Sequence, residues 1–219
     1  PAQGAPPRTI RIAAFNIQVF GTQKAGNRAV MTVLSRIARQ FDIMAVQEFR
    51  DETGQAPEVF LDWINRDARV PYAMVAGPRL GRSDSKEQYV IYYRPDVVTF
   101  VDSFTVSNRG DPFERPPLVA RFVAGEFDFR LVVAHIKPED AARELAALAR
   151  VVDDVVTSHE GDVILLGDFN ADCGYFNEND DRHPLRASRF HWVIGNDART
   201  AVRTTCTYDR IELLEGTYA

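Results

Sequence analysis

Asn16, Glu48, His135, Asp168 with Asn170, and Asp209 each stand at or just beyond an apolar run, in IAAFN, IMAVQEF, LVVAH, VILLGDFN and CTYDRI. If those runs are strands lying side by side, their ends bring three acids, two amides and one histidine to one edge. Such a set suits metal-assisted hydrolysis of a phosphoester. A hard divalent ion such as Mg²⁺ takes carboxylate and amide oxygens and keeps several waters, so Glu48 with Asn16 beside it is a sufficient start. Hydrolysis also needs a water oriented and deprotonated for attack, which suits Asp168, and a donor to a phosphate oxygen, which suits Asn170. Histidine titrates near neutrality, so His135 can give or take a proton there.

Each residue also has a plainer reading. Glu48 can pair with a neighbouring charge such as Arg50, Asn16 can cap a turn, and His135 can be a satisfied, partly buried side chain before Pro138. Strands must end, and Gly, Asp and Asn are common turn residues. Five such residues at five strand ends are harder to explain that way.

The elements that would position them can be read from periodicity. Residues 9–15 alternate and then run apolar, as a central strand does, and DIMAVQEF reads as a second buried strand. Between them a helix is expected, with Asn27 as N-cap and Val30, Val33, Leu34, Ile37, Ala38 and Phe41 on its inner face. A second helix spans 57–68, opened by Pro57 and burying Phe60, Trp63 and Ile64. EQYVIYYRPDVVTFVDSF predicts a hairpin turning at RPD, and PLVARFVA with FDFRLVVAHI predicts another turning at GEFD. A third helix, ending before Gly161, turns Leu145, Leu148, Val152 and Val155 inward. Residues 208–214 close as a strand. The fold class is therefore layered α/β with a partly antiparallel core.

No linker-like change of composition divides the 219 residues, so residues 9–219 read as one domain behind a trimmed N-terminal end, PAQGAPPR, at 1–8. No apolar run reaches the roughly 18 to 20 residues of a membrane span, so no membrane partner is expected. The net charge of −5 has the wrong sign for holding nucleic acid by bulk electrostatics, so a phosphate ligand needs a metal or a local basic patch. Two cysteines, Cys173 and Cys206, fit no zinc spacing; a single bridge and two separate thiols both remain open.

The segments IAAFNIQVFG, VQEFRD, LGRSDSKEQY, VVAHIKP, LLGDFNADC and CTYDRI resemble, in order, the motifs of deoxyribonuclease I and its kin in the endonuclease, exonuclease and phosphatase superfamily. The resemblance runs from about Thr9 to the end, and GDFNADC followed by CTYDRI is specific to the deoxyribonuclease branch. It implies a four-layer sandwich of two packed mixed sheets flanked by helices, Mg²⁺ or Mn²⁺ at the site, and structural Ca²⁺, for which Asp197 and Thr200 are a loose match. By position Glu48 matches the metal ligand and Asn16 its neighbour, while Asp168 and Asn170 surround the scissile phosphate. His135 matches a catalytic histidine oriented by Glu87. Asp209 matches an aspartate paired with a second histidine. Arg50, Arg115 and Tyr89 match substrate-binding positions, with Arg82, Lys86 and Arg109 as further candidates for a basic patch. Cys173 and Cys206 match a family disulfide, which favours a secreted or periplasmic protein. The implied partner is DNA, duplex in preference to single-stranded, cut by a monomer with little sequence preference.

Two departures stand out. Relatives carry a Ser-Asp-His motif on a last strand, whereas this sequence reads EGTYA after its final apolar run, which leaves Asp209 without an evident partner. A parent chain that continues and a genuine short form both account for this; the intact remainder of the cluster favours the first. Ser85 stands where close relatives place a tyrosine that enters the minor groove. The competing readings are a phosphatase or phospholipid phosphodiesterase of the same superfamily, and a degenerate member that binds nucleic acid without cutting it.

Overall fold

The computed structural model describes residues 9–82, 86–159 and 161–215; the segment 1–8 and Ser85 lie outside them. Among the described residues, ten strands form two sheets. The first contains β1 (Ile12–Phe20), β2 (Ile43–Phe49), β3 (Ala73–Leu80) and β4 (Glu87–Tyr93) in the order β1-β2-β4-β3. The second contains β5 (Thr99–Thr105), β6 (Leu118–Ala124), β7 (Phe127–His135), β8 (Asp162–Asp168), β9 (Phe190–Trp192) and β10 (Asp209–Leu214) in the order β5-β6-β7-β8-β10-β9. The short α1 (Thr22–Ala25) leads to α2 (Arg28–Ala38), which with α3 (Ala56–Arg66) covers the first sheet, and α4 (Ala141–Ser158) covers the second. Both sheets are mixed: β1 and β2 run parallel, as do β7 and β8, and the other pairs are antiparallel. This is the expected four-layer sandwich.

Alternation explains why the central strands read as unbroken apolar runs, since each is buried on both faces. In β7, Phe129, Leu131 and Val133 enter the core between the sheets, while Val132 and Ala134 face α4. In β8, Ile164 and Leu166 point between the sheets and Val163 and Leu165 towards the helix. In β2, Ala45 lies in the inter-sheet core and Val46 in the helix-facing one.

Several expectations need correction. The run 87–105 is not a hairpin: β4 pairs with β2 and β3, and β5 pairs with β6 in the other sheet. The turn after Tyr93 therefore carries the chain from one layer to the next, because both flanking strands find their partners elsewhere. The second predicted hairpin does form, with Ala124 opposite Phe127 across a turn whose Gly125 has φ 62°. Asn27 caps α2, its side chain accepting from the Val30 N–H at 3.2 Å. The buried face of α2 is nevertheless rotated: Met31, Ser35 and Ala38 face inward, while Val33 and Ile37 are exposed. β3 was not anticipated; Gly77 and Pro78 within it suppress its strand signal, and both are tolerated because it is an edge strand.

Cys173 and Cys206 are bonded, with Cα atoms 5.9 Å apart and a sequence separation of 33. The bridge closes the long loop between β8 and β10 behind the strand ends. Loop-closure entropy gives such a bridge about 3 to 4 kcal/mol. Cys206→Ser is therefore expected to lower the midpoint of thermal unfolding by roughly 10 °C, with the same loss in wild-type protein under reducing conditions. An unchanged melting curve would refute a stabilising role.

Candidate active site

The alternation that fills the inter-sheet core also fixes which polar residues cap it. Asn16 follows Ile12 and Ala14 on the inward parity of β1, His135 follows Val133 on β7, and Asp168 follows Leu166 on β8. Glu87 and Asp209 precede Tyr89 and Ile211 on the same parity of β4 and β10. Glu48 would fall on the wrong face of β2, but the β2–β4 register slips between Val46 and Phe49. This bulge, with Glu48 at φ 68°, turns the carboxylate inward. A second register shift between Asn16 and Phe20 holds Gln18 and Val19 at φ 52° and 50°. Asn170, at φ 46°, adds another left-handed residue, so non-glycine strain concentrates around one group of side chains.

The side chains meet at the mouth of the sandwich. Asn16 Nδ2 donates to Glu48 Oε1 at 2.8 Å and to Asp168 Oδ2 at 2.9 Å. The other Glu48 oxygen accepts from the Val19 N–H at 2.7 Å. His135 Nδ1 lies 2.7 Å from Glu87 Oε2, and its Nε2 lies 4.0 Å from Asp168 Oδ2. Asn170 donates from Nδ2 to the Ile136 carbonyl at 2.8 Å, and its N–H donates to Asp168 Oδ1 at 3.0 Å. Asp209 is the cross-strand partner of Asp168, as Asp168 is of His135. Gly167 makes the β7–β8 approach possible: at φ 143°, a Cβ there would lie 1.9 Å from the Ala134 carbonyl oxygen. Asn16, Glu48, His135, Asp168, Asn170 and Asp209 line a cleft of about 470 Å³, and Glu87 does not.

The arginines are engaged by neighbouring carboxylates. Arg50 Nη2 lies 2.6 Å from Glu87 Oε1 and 3.6 Å from Glu48 Oε2. Arg115 lies 3.4 Å from the same Glu87 oxygen and donates from Nε to the His135 carbonyl at 3.2 Å. Arg82 is held by Asp111, Glu114 and the Phe113 carbonyl, so it braces a loop instead of presenting a free charge. Tyr89, expected at a substrate-binding position, is buried beneath the site; its hydroxyl accepts from the His135 N–H at 2.9 Å and donates to the Arg115 carbonyl at 3.3 Å. Lys86 and Arg109 are exposed and do not line the cleft.

The charges are unevenly balanced. Burial pushes the Glu87 carboxyl up, but the His135 hydrogen bond and the charges of His135, Arg115 and Arg50 prevail and hold it below its ordinary value. Asp209 is pushed up to about 7 by burial and by Asp168, against the Thr200 hydrogen bond and the charge of His135. Among the described residues, side-chain donor atoms of Glu48, Glu87 and His135 lie within 4.8 Å of one another. Glu87 already carries two guanidiniums and the imidazole, so the Glu48 side facing Asn16 and Asp168 fits a hard cation better. The other candidate group, Asp172 with Cys173 and Cys206, is disqualified because its sulfurs are bonded to each other. Asp197 and Thr200 belong to no such converging group; the Thr200 hydroxyl accepts from the Asp209 N–H at 3.0 Å.

Thr200 and residues 201–204, including Arg203, also line the cleft; of these only Thr200 is singled out by the sequence, as a calcium candidate. They belong to an irregular loop with no periodic signal. No second histidine reaches the cleft among the described residues: His159 stacks on Phe104, His183 contacts the Ala142 carbonyl, and His191 lies on β9.

Two mixed sheets packed face to face, with acids, amides and a carboxylate-held imidazole at one mouth, define a phosphoester hydrolase. The chain belongs to the endonuclease/exonuclease/phosphatase family, whose model matches residues 13–210. It is 37% identical to deoxyribonuclease-1 of Bos taurus over 215 residues, covering 93% of this chain and 76% of that protein. It is 39% identical to deoxyribonuclease-1-like 1 of Homo sapiens over 221 residues, covering 97% and 72%. Among solved structures, D. rerio TDP2 complexed with a single-strand DNA product has a TM-score of 0.66 at 18% identity, covering 96% of this chain and 85% of that one. A Bacteroides thetaiotaomicron mannosyl-6-phosphatase has a TM-score of 0.64 at 16% identity, covering 95% and 86%; both share the fold.

Because Asp209 titrates higher folded than unfolded, it favours the folded state fully below about pH 4, and that contribution is lost as pH rises through about 7. Without divalent cations, the melting temperature should fall across this window, and Asp209→Asn should flatten the fall. An equal pH dependence in Asp209→Asn would contradict the assignment.

Proposed function

We propose that this protein is a divalent-metal-dependent endonuclease that hydrolyses phosphodiester bonds in DNA, duplex in preference to single-stranded, with little sequence preference. The observation that carries the reading is the shared contact of Glu48 and Asp168 with one Asn16 amide, beside an imidazole fixed by Glu87. The identity to deoxyribonucleases across most of the chain supports DNA as substrate. Glu48 and Asn16 would hold Mg²⁺ or Mn²⁺, which neutralises charge building on the phosphoryl oxygens.

The chain's own residues then divide the remaining work. Asp168 orients the attacking water and takes its proton as the new P–O bond forms. Glu87 fixes His135 through Nδ1, so that Nε2 faces the cleft and can protonate the ester oxygen as the old P–O bond breaks. Asn170 has a second amide hydrogen besides the one given to Ile136, and offers it to a phosphoryl oxygen. Asp209 adds to the negative field of Asp168, which favours a bound cation. The disulfide fits an oxidising compartment, outside the cell or in a periplasm. No helix among the described residues is long and apolar enough to cross a membrane, and a monomer acting alone is part of this proposal.

The test is nicking of supercoiled plasmid in Mg²⁺ with Ca²⁺. EDTA is expected to abolish nicking, and His135→Ala and Glu48→Gln each to reduce it at least about 100-fold. Nicking that survives these changes would overturn the reading. So would a folded protein that leaves DNA intact while hydrolysing phosphomonoesters or phospholipids.

A further inference from the structure

Glu144 is a carboxylate with no exposed surface, placed in the first turn of α4 and outside the cleft. Its two oxygens are divided between two loops. Oε1 accepts the Glu114 N–H at 2.8 Å, and Oε2 accepts the Lys137 N–H at 3.1 Å. Glu114 precedes Arg115, and Lys137 lies two residues after His135. Arg115 itself donates to the His135 carbonyl at 3.2 Å, which closes a ring running Glu144, Glu114, Arg115, His135, Ile136, Lys137 and back. Arg115 and His135 both contact Glu87, at 3.4 and 2.7 Å.

We propose that Glu144 is a positioning residue, whose carboxylate sets the spacing of Arg115 and His135 and so the aim of the imidazole. The inference rests on the nuclease reading and adds to it a residue that touches neither substrate nor metal.

The geometry favours this over simple anchoring of a helix. The carboxylate takes N–H groups from two loops far apart in sequence, and none from its own helix. The Glu114 loop is also gripped from its other side, where Arg82 donates to the Glu114 carboxylate at 2.8 and 3.2 Å and to the Phe113 carbonyl at 2.8 Å. Arg143, next to Glu144, donates to the Pro112 carbonyl at 2.9 Å. Residues 112–115 are thereby clamped between α4 and the turn before β4. Losing the inner grip frees Arg115 to move relative to His135. Burial raises the Glu144 carboxyl, and the two N–H groups with the charges of Arg115 and Arg143 oppose that rise. No lysine or arginine forms a salt bridge with it among the described residues, so its contacts are those two backbone donors.

The test is Glu144→Gln, which keeps the shape but turns one acceptor into a donor facing an N–H. It should lower kcat for plasmid nicking about 10- to 100-fold while KM changes less than about twofold. In an Arg115→Ala background the same substitution should cost less than about threefold, because its effect passes through Arg115. Amide hydrogen exchange should rise at His135, whose N–H rests on Tyr89, as well as at Glu114 and Lys137. If Glu144→Gln does not fold, Lys137→Pro removes one donor at a residue whose φ of −70° already suits proline, with Lys137→Ala as the control that keeps the N–H.

Unchanged kcat in a folded variant, losses that multiply independently with Arg115→Ala, or exchange confined to Glu114 and Lys137 would each overturn the proposal. Should the wild-type protein cut no phosphodiester, the nuclease reading falls. The exchange measurement then decides the role of Glu144 by itself.

Discussion

One primary amide joins the two halves of this molecule at its working end. Asn16 Nδ2 donates to Glu48 within its own sheet and to Asp168 in the opposite sheet, so two carboxylates share one NH₂ group. The contact requires both sheets to present inward-facing positions at the same end. It also requires the β2 bulge that brings Glu48 onto that face. Two carboxylates so close repel each other unless something positive lies between them, and the amide hydrogens satisfy only part of that demand. The packing of the sheets thus leaves at this point the negative charge on which the proposed cation site rests.

The surrounding charges divide into a compensated side and an uncompensated side. Glu87 is surrounded by His135, Arg50 and Arg115 and is held ionised, which makes it a rigid anchor for the imidazole. Glu48, Asp168 and Asp209 have no equivalent set of arginines. Asp209 is pushed up to about 7, first by burial and then by the charge of Asp168. Arg50 and Arg115 therefore organise the site from the Glu87 side, while the cleft itself is lined by Glu48, Asp168 and Asp209 with Arg203 at its 200–204 wall. This agrees with the overall charge of −5, which argues against binding nucleic acid by a broad basic surface.

Strand parity made much of this legible in the sequence. Apolar runs ending at Asn16, His135 and Asp168 are what centrally placed strands look like, and the residue after the run inherits its direction; Asp209 instead opens β10 on the parity of Ile211. Glu48 was legible by type but not by face, because a bulge leaves no periodic mark. The supposed hairpin across residues 94–96 failed for a related reason: local turn chemistry shows that the chain reverses, while the choice of sheet depends on pairings distant in sequence. Tyr89 illustrates the limit of matching by position, since only packing reveals that its hydroxyl points at the His135 backbone. Glu144 left a fainter cue, an acid on the inward side of α4 between Ala141 and Leu148, where burial demands a partner. The loop at 201–204 left none, as irregular backbone has no period to read.

The proposed function depends on a divalent-cation site at Glu48 and Asn16, with Asp168 facing it across the shared amide. Calorimetric titration of the protein with Mn²⁺ in the absence of DNA tests it most directly. The account predicts saturable binding that is abolished in Glu48→Gln and weakened in Asn16→Ala, with both variants folded. Binding of unchanged affinity in Glu48→Gln would contradict it.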